Sequence, residues 1–376
     1  MPLSDLPPLL GDDPALLSAL GRRDAVLAVP EPARAMALAA LVAHGARRPL
    51  LVAVPTTAEA ERLANDLRVF LGDDEVESFP AWETLPFERV SPAVETMGRR
   101  LRTLWRLRSA PPAVVVAPVR ALVQRLSPHV DEIEPVVVGV GDVVDPIDLV
   151  DRLVAMGYRR EQQVEHRGEL AVRGSIVDVF PSTADAPVRI DLWGDEVDRL
   201  NEFAVNDQRS TLSRSSVELF PCRELLPTDD VRRRAEALVG AQPWGREHWE
   251  RLAQGLTFDG MESWLPWLGE AGDEAEVLLD LLDDDAFVVL VEPRRLRDRA
   301  ADIIAEERDL ASSLARTWGA IDDDGFPAMH LDFERLLVRT GAPVLTMLDI
   351  ADGPSTPALD ASGWDPVVGG GSVLVA

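Results

Sequence analysis

The chain has 376 residues, 46% of them hydrophobic, enough for two or three domains with proper cores. A formal net charge of −27 disfavours broad phosphate or nucleic-acid binding, because repulsion would act over most of the surface. Arginine supplies all 38 basic side chains; without a lysine there is no intact Walker-type phosphate loop and no Schiff-base chemistry.

The single cysteine, Cys222, excludes an internal disulfide and a cysteine-based metal cluster, and fits a reducing compartment. Met1 to Gly11 is acidic and proline-rich, without the basic start of a leader, and no apolar run is long enough to span a bilayer. A cytoplasmic protein without membrane contact is expected.

After a short helical lead-in over residues 1–23, Asp24 to Val29 reads as a buried strand and Glu31 to His44 as an Ala/Leu-rich helix. Leu50 to Val54 gives a second strand, and Thr56-Thr57-Ala58-Glu59 a cap opening a helix to Leu71. Pro112 to Ala117 is a further buried strand, followed by a helix over Val119 to Leu126. This alternation predicts a parallel α/β sheet. In such a fold a nucleotide's phosphates sit at the loop after the first strand. Here that loop, Val29 to Met36, has no glycine, puts Glu31 where an anion would go, and loses N–H donors to Pro30 and Pro32. No nucleotide is expected there, and no cofactor elsewhere.

Phe79-Pro80-Ala81-Trp82-Glu83-Thr84-Leu85-Pro86-Phe87 precedes a helix from Val94 to Arg108 that carries Arg99, Arg100, Arg102, Arg106 and Arg108. Such a stripe is either a nucleic-acid contact or an amphipathic helix whose arginines pair with nearby carboxylates; the second reading is preferred on so acidic a chain. Val138-Gly139-Val140-Gly141 lacks the third glycine of a dinucleotide loop. Between Gly157 and Phe220 short strands follow closely. Leu170 to Phe180, with apolar residues at 170, 172, 176 and 180 in one period-2 register, reads as one strand with a polar face. Val188 to Trp193 and Val197 to Phe203 are two more, separated by the turn Gly194-Asp195-Glu196. An antiparallel meander with an arginine-bearing face is a candidate docking surface.

Downstream, Val231 to Val239 and Trp244 to Gln254 read as helices, and Trp264-Leu265-Pro266-Trp267-Leu268 as a packing element. The acidic run Glu270 to Asp285 reads as solvated rather than metal-binding. Phe287 to Val291 gives another buried strand, and Arg294 to Leu314 a closing helix. From Ala351 onward proline and glycine mark a linker, Gly369-Gly370-Gly371 included, and Val373-Leu374-Val375 resembles the first strand of a further domain.

Together Phe79 to Phe87, the arginine-rich helix, Gly157-Tyr158-Arg159, Arg173-Gly174-Ser175-Ile176-Val177-Asp178-Val179-Phe180-Pro181, Asp195 to Asp198, Gln208-Arg209-Ser210 and Gly260 to Pro266 resemble, in order, the amino-terminal module of the bacterial transcription-repair coupling factor family, Mfd. That module is similar to the excision-repair protein UvrB. The resemblance spans about residues 15 to 340. It implies a degenerate P-loop, helicase-like α/β domain with a parallel sheet and an inserted small β-rich (α+β) domain. Residues 1–125 would form the first part of the α/β domain and 126–225 the inserted domain. Residues 226–345 would return to the α/β domain with helical segments, and 346–376 would form a linker and the start of a further domain. It implies a non-catalytic module whose inserted domain binds UvrA, with Arg159 and Arg173 at the surface and Arg167, Glu169, Asp178 and Phe180 beside them. RNA polymerase and DNA would be partners of a full-length protein, through C-terminal domains and a motor absent here, and an intramolecular contact with that motor is a further implied partner. The alternative is a UvrB-like ATP-dependent protein that handles damaged DNA. Against it, the phosphate loop and the tyrosine-rich DNA-clamping hairpin of that family have no counterpart, Tyr158 being the only tyrosine.

Overall fold

The computed structural model describes residues 2–20, 22–270, 274–318, 326–359, 364–367 and 371–374. Strands β1 (Ala25–Ala28), β2 (Leu50–Val54), β3 (Val76–Ser78) and β4 (Val114–Pro118) come before the β-rich segment. That segment holds β5 (Val136–Gly139), β6 (Arg159–Arg160), β7 (Glu169–Arg173), β8 (Ile176–Val179), β9 (Val188–Trp193), β10 (Glu196–Phe203), β11 (Ser210–Arg214) and β12 (Ser216–Leu219). After it come β13 (Phe287–Val291), β14 (Val344–Leu348), β15 (Trp364–Val367) and β16 (Gly371–Leu374).

One six-stranded sheet has the order β1-β14-β13-β2-β4-β3, every pair parallel. β2, β4 and β13 are buried at every position because helices cover both faces, which is why they read as unbroken apolar runs. Alternate residues divide between two cores. Leu50, Val52, Val114 and Val289 face the helices Arg34–His44 and Thr57–Leu71; Leu51, Ala53, Val115 and Val288 face Val94–Ser109 and Pro293–Trp318. Thr56 caps its helix by accepting from the Glu59 amide, as its sequence predicts. β15 and β16 form an antiparallel hairpin; Gly369, Gly370 and Val375 lie outside the described residues, as do residues 271–273 of the acidic run.

A second sheet, β11-β10-β9-β8-β7-β6, is an antiparallel meander from β7 to β11 with β6 added in parallel. Its inner face packs on the helix Pro146–Ala155 and on the β5–β12 pair, with Leu153, Leu170, Val177, Val179 and Ile190 in the shared core. The stretch from Leu170 to Phe180, expected as one strand, is a hairpin. Gly174, at φ +63°, turns the chain, and Arg173 pairs with Ile176. The two-residue turn shifts the register, so Val177 and Val179 join Leu170 and Val172 on the inner face while Ile176 and Phe180 fall on the other.

The meander is held to the α/β domain by a buried clasp. Arg100, fully buried, makes a two-pronged bond to Glu224, also fully buried (Nε to Oε2 2.7 Å, Nη2 to Oε1 3.0 Å). Its Nη1 donates to the Pro80 carbonyl at 3.0 Å and its guanidinium lies 4.2 Å above the Phe79 ring. Trp82 Nε1 donates to the same carboxylate at 2.9 Å. The Phe-Pro-Ala-Trp motif thus exists to seat one ion pair. Other arginines of that helix pair with Glu95, Glu77 and Glu134, so the stripe is spent internally. Further along the helix, Gly98 lets Ser182 approach so closely that an added Cβ would meet its Oγ at 2.5 Å.

Trp244, Trp249, Trp264, Trp267 and Phe326 build one aromatic cluster, the packing role expected for the Trp-rich segment. His248 stacks on Trp264 at 4.4 Å. Burial lowers its pKa below the ordinary 6.5, helped by Arg89 and Arg251 and opposed by Glu247.

Two predictions follow from these contacts. Arg100→Leu or Glu224→Leu alone should cost about 3–5 kcal/mol in urea unfolding by stranding a buried charge, while the double variant should recover much of the loss. For His248, the unfolded chain binds more protons than the folded one below the ordinary pKa. Stability is therefore full above about pH 6.5 and falls as pH falls through it. Denaturation midpoints read by tryptophan fluorescence should show that slope, and His248→Gln should flatten it.

Candidate functional site

The meander's outer face follows from its register. Ala171 on β7 pairs with Asp178 on β8, which pairs with Arg189 on β9, itself opposite Asn201 on β10. One row further on, Arg173 meets Ile176, Ile176 meets Asp191, and Asp191 meets Arg199. Period-2 alternation puts all of these on the side away from the main core of the domain.

Asp178 is fully buried and organises the face. Arg189 donates to both its oxygens (Nε to Oδ1 2.7 Å, Nη2 to Oδ2 2.9 Å), and Arg173 Nη2 donates to Oδ2 as well. Hydrogen bonding to Asp178 raises the Arg189 pKa, with burial acting against it. Arg189 also lies 4.8 Å from the Phe203 ring, which shares a small apolar cluster with Val164, Ala171 and Phe180. Two guanidiniums share this carboxylate, and Asp191, in the next row of the same face, also acts on Arg189. Arg173, whose side chain is 45% exposed, turns part of its guanidinium to solvent.

The other residues picked out by sequence divide between surface and support. Arg159, 66% exposed, sits in register with Glu169 and pairs with it at 3.5 Å. Glu169 is buried; its Oε2 accepts from the Glu165 and His166 amides at 2.8 Å each and so fixes the loop beside Arg159. Arg167 is a strap: it bonds the Ala184 carbonyl (2.8 Å), Asp185 (2.8 Å) and Glu95 on the helix Val94–Ser109 (3.2 Å), above the buried Phe180 ring. Glu169, Asp178 and Phe180 therefore lie beneath the surface and can serve it only by positioning. Arg159, on β6 beside the first residue of β7, and Arg173, at the far end of β7, are about 14 Å apart, four residues along and one strand across. Sequence reasoning did not single out Arg189, since its partnership with Asp178 depends on the hairpin register. Beneath the sheet, burial pushes the Cys222 thiol up to about 12, so it stays protonated.

At the mouth of the parallel sheet, the loop after β1 is bonded to other parts of the chain. The Glu31 amide donates to Asp349 Oδ1 at 2.8 Å, Arg34 Nη2 reaches Asp349 (3.4 Å) and Glu292 (3.3 Å), and Arg62 pairs with Glu31 at 3.0 Å. The cavity left beside them, lined by Glu31, Arg34, Glu59, Arg62 and Asp66, is about 30 Å³, the room of a water molecule or two. Among the described residues no group of three or more His, Cys, Asp or Glu side chains is arranged to hold a metal ion, and no helix is long and apolar enough to cross a membrane.

Residues 136–225 match the family model of the UvrB interaction domain. The chain is 39% identical over 363 residues to the transcription-repair-coupling factor of Mycobacterium tuberculosis, covering 88% of this chain and 29% of that one. It is 35% identical over 316 residues to that of Myxococcus xanthus (78% and 26%), and 32% identical over 240 residues to that of Escherichia coli (57% and 21%). It thus spans less than a third of the length of these relatives. Fold and match together define the class: an α/β parallel-sheet domain into which a UvrB interaction domain is inserted. Within that class the chain belongs to the transcription-repair-coupling factor family, Mfd, as its amino-terminal UvrB-like module.

Replacing Asp178 with alanine should release both guanidiniums. We expect a loss of about 1.5–3 kcal/mol in chemical denaturation, the size of hydrogen bonds to charged groups, because the two arginines can partly rehydrate.

Proposed function

We propose that this chain is a non-catalytic recruitment module that docks the excision-repair protein UvrA at sites of stalled transcription, using the meander's outer face. The observation that carries this reading is the sharing of buried Asp178 by Arg173 and Arg189, which leaves a guanidinium edge turned to solvent on a chain of net charge −27. A planar guanidinium held by one carboxylate can still offer its other N–H groups to a partner's carboxylate. The resemblance to UvrA-binding modules points to the same face. The internally bonded loop after β1 supports a role without ATP turnover. We assign contact with RNA polymerase and DNA to the remaining length of the longer relatives, where the motor would also find this face available for an intramolecular contact.

Calorimetric titration of the chain with UvrA tests the proposal. Binding is expected, and Arg173→Glu and Arg159→Glu should each weaken it about ten-fold or more, with unfolding transitions close to that of the parent. Unchanged affinity in both variants would remove the site. ATP hydrolysis by the chain alone would favour the UvrB-like ATPase reading instead.

A further inference from the structure

Trp193 ends β9 at 82% exposure, the one exposed aromatic side chain among the residues whose burial is described. It lies on the docking face. Trp193 pairs with Glu196 on β10, and Glu196 bridges to Val143, which is itself 73% exposed. The residue two before it, Asp191, is in the row of Arg173, Ile176 and Arg199, so Trp193 is about 12 Å from Arg173 across the sheet. The turn behind it is tight: Gly194 takes φ +70°, and the Leu192 amide bonds the Ser175 carbonyl at 2.9 Å. A large apolar ring therefore faces water on the same side of the sheet as Arg173, with exposed Val143 two strands away.

We propose that Trp193 is the apolar anchor of this docking face, entering an apolar socket on the partner whose rim offers a carboxylate to Arg173. The inference rests on the docking reading above. Tryptophan and arginine are the residue types that dominate binding energy at protein interfaces when they meet in one patch. Charge decides against other occupants. A body of net charge −27 disfavours extended polyanions such as nucleic acid and anionic lipid surfaces. A second copy of the chain would bring −27 against −27. The occupant left is a different protein, apolar opposite Trp193, with its carboxylates confined to the place opposite Arg173.

The experiment titrates UvrA with the full chain and with Trp193→Ala, Trp193→Phe and Arg173→Glu, alongside sedimentation of each chain alone. Trp193→Ala should weaken binding by roughly thirty-fold or more, the range of an interface hot spot, with an unchanged unfolding midpoint, and Trp193→Phe should keep most of the affinity. Parent-like affinity in Trp193→Ala, with Arg173→Glu still impaired, overturns the anchor and leaves the docking reading in place. No binding by the parent chain overturns the docking reading and the anchor with it. A parent dimer that Trp193→Ala dissolves overturns the anchor in favour of self-association.

Discussion

The Arg100–Glu224 pair is the constraint on which the arrangement of the two domains depends. Two charges removed from water carry a large desolvation cost, offset only when geometry is good and the remaining donors and acceptors are satisfied. Here the carboxylate receives three N–H bonds, two from Arg100 and one from Trp82. The guanidinium spends its remaining reach on the Pro80 carbonyl and its face on Phe79. Three segments distant in sequence must be in place together. They are the loop after β3, the long helix that follows, and the chain just past β12. Since Glu224 lies where the inserted domain ends and Arg100 lies before it begins, the pair fixes how that domain sits. Tyr158 and Ser182 bonding the Phe220 carbonyl, and Ser182 packed on Gly98, reinforce the same joint. The docking face inherits its orientation from this clasp.

Sequence revealed the elements whose burial is uniform and concealed those whose identity depends on a partner. β2, β4 and β13 stand out as apolar runs because both faces are covered. β3, with Glu77 at its centre, and β11, Ser-Thr-Leu-Ser-Arg, carry no such signature; only their neighbours make them strands. β14 alternates fully buried Leu345 and Met347 with partly exposed residues and was not singled out. The hairpin at Gly174 was hidden because residues 170, 172, 176 and 180 happen to keep one parity across a two-residue turn. Arg159 and Arg173 were legible through motif resemblance. Arg189 and Trp193 were not, since what distinguishes each is the residue opposite it on another strand.

The mouth of the parallel sheet is closed by the chain itself. The Glu31 N–H donates to the Asp349 carboxylate. Arg34 supplies the cation, and Glu292 links back by accepting the Asp349 amide. A buried cation or amide left without a partner would cost free energy, and here an internal carboxylate satisfies both. It comes from the segment just past β14, which also adds a bridge from Ala358 to Ala28 of β1. The loop after β1 is thereby an attachment point for the chain's later part.

Overall negative charge and an arginine-marked face serve one another. A body of charge −27 repels nucleic acid and other copies of itself, so a cationic edge cannot act as a general polyanion binder. Most arginines are neutralised where they stand, as on the helix Val94–Ser109. On the outer sheet face Arg173 and Arg189 share the one buried carboxylate of Asp178. One acid beneath two guanidiniums orients both and neutralises one. An acidic group on a partner would meet at Arg173 a guanidinium oriented by a buried carboxylate and 45% exposed, with the solvent-facing Trp193 ring about 12 Å away on the same face.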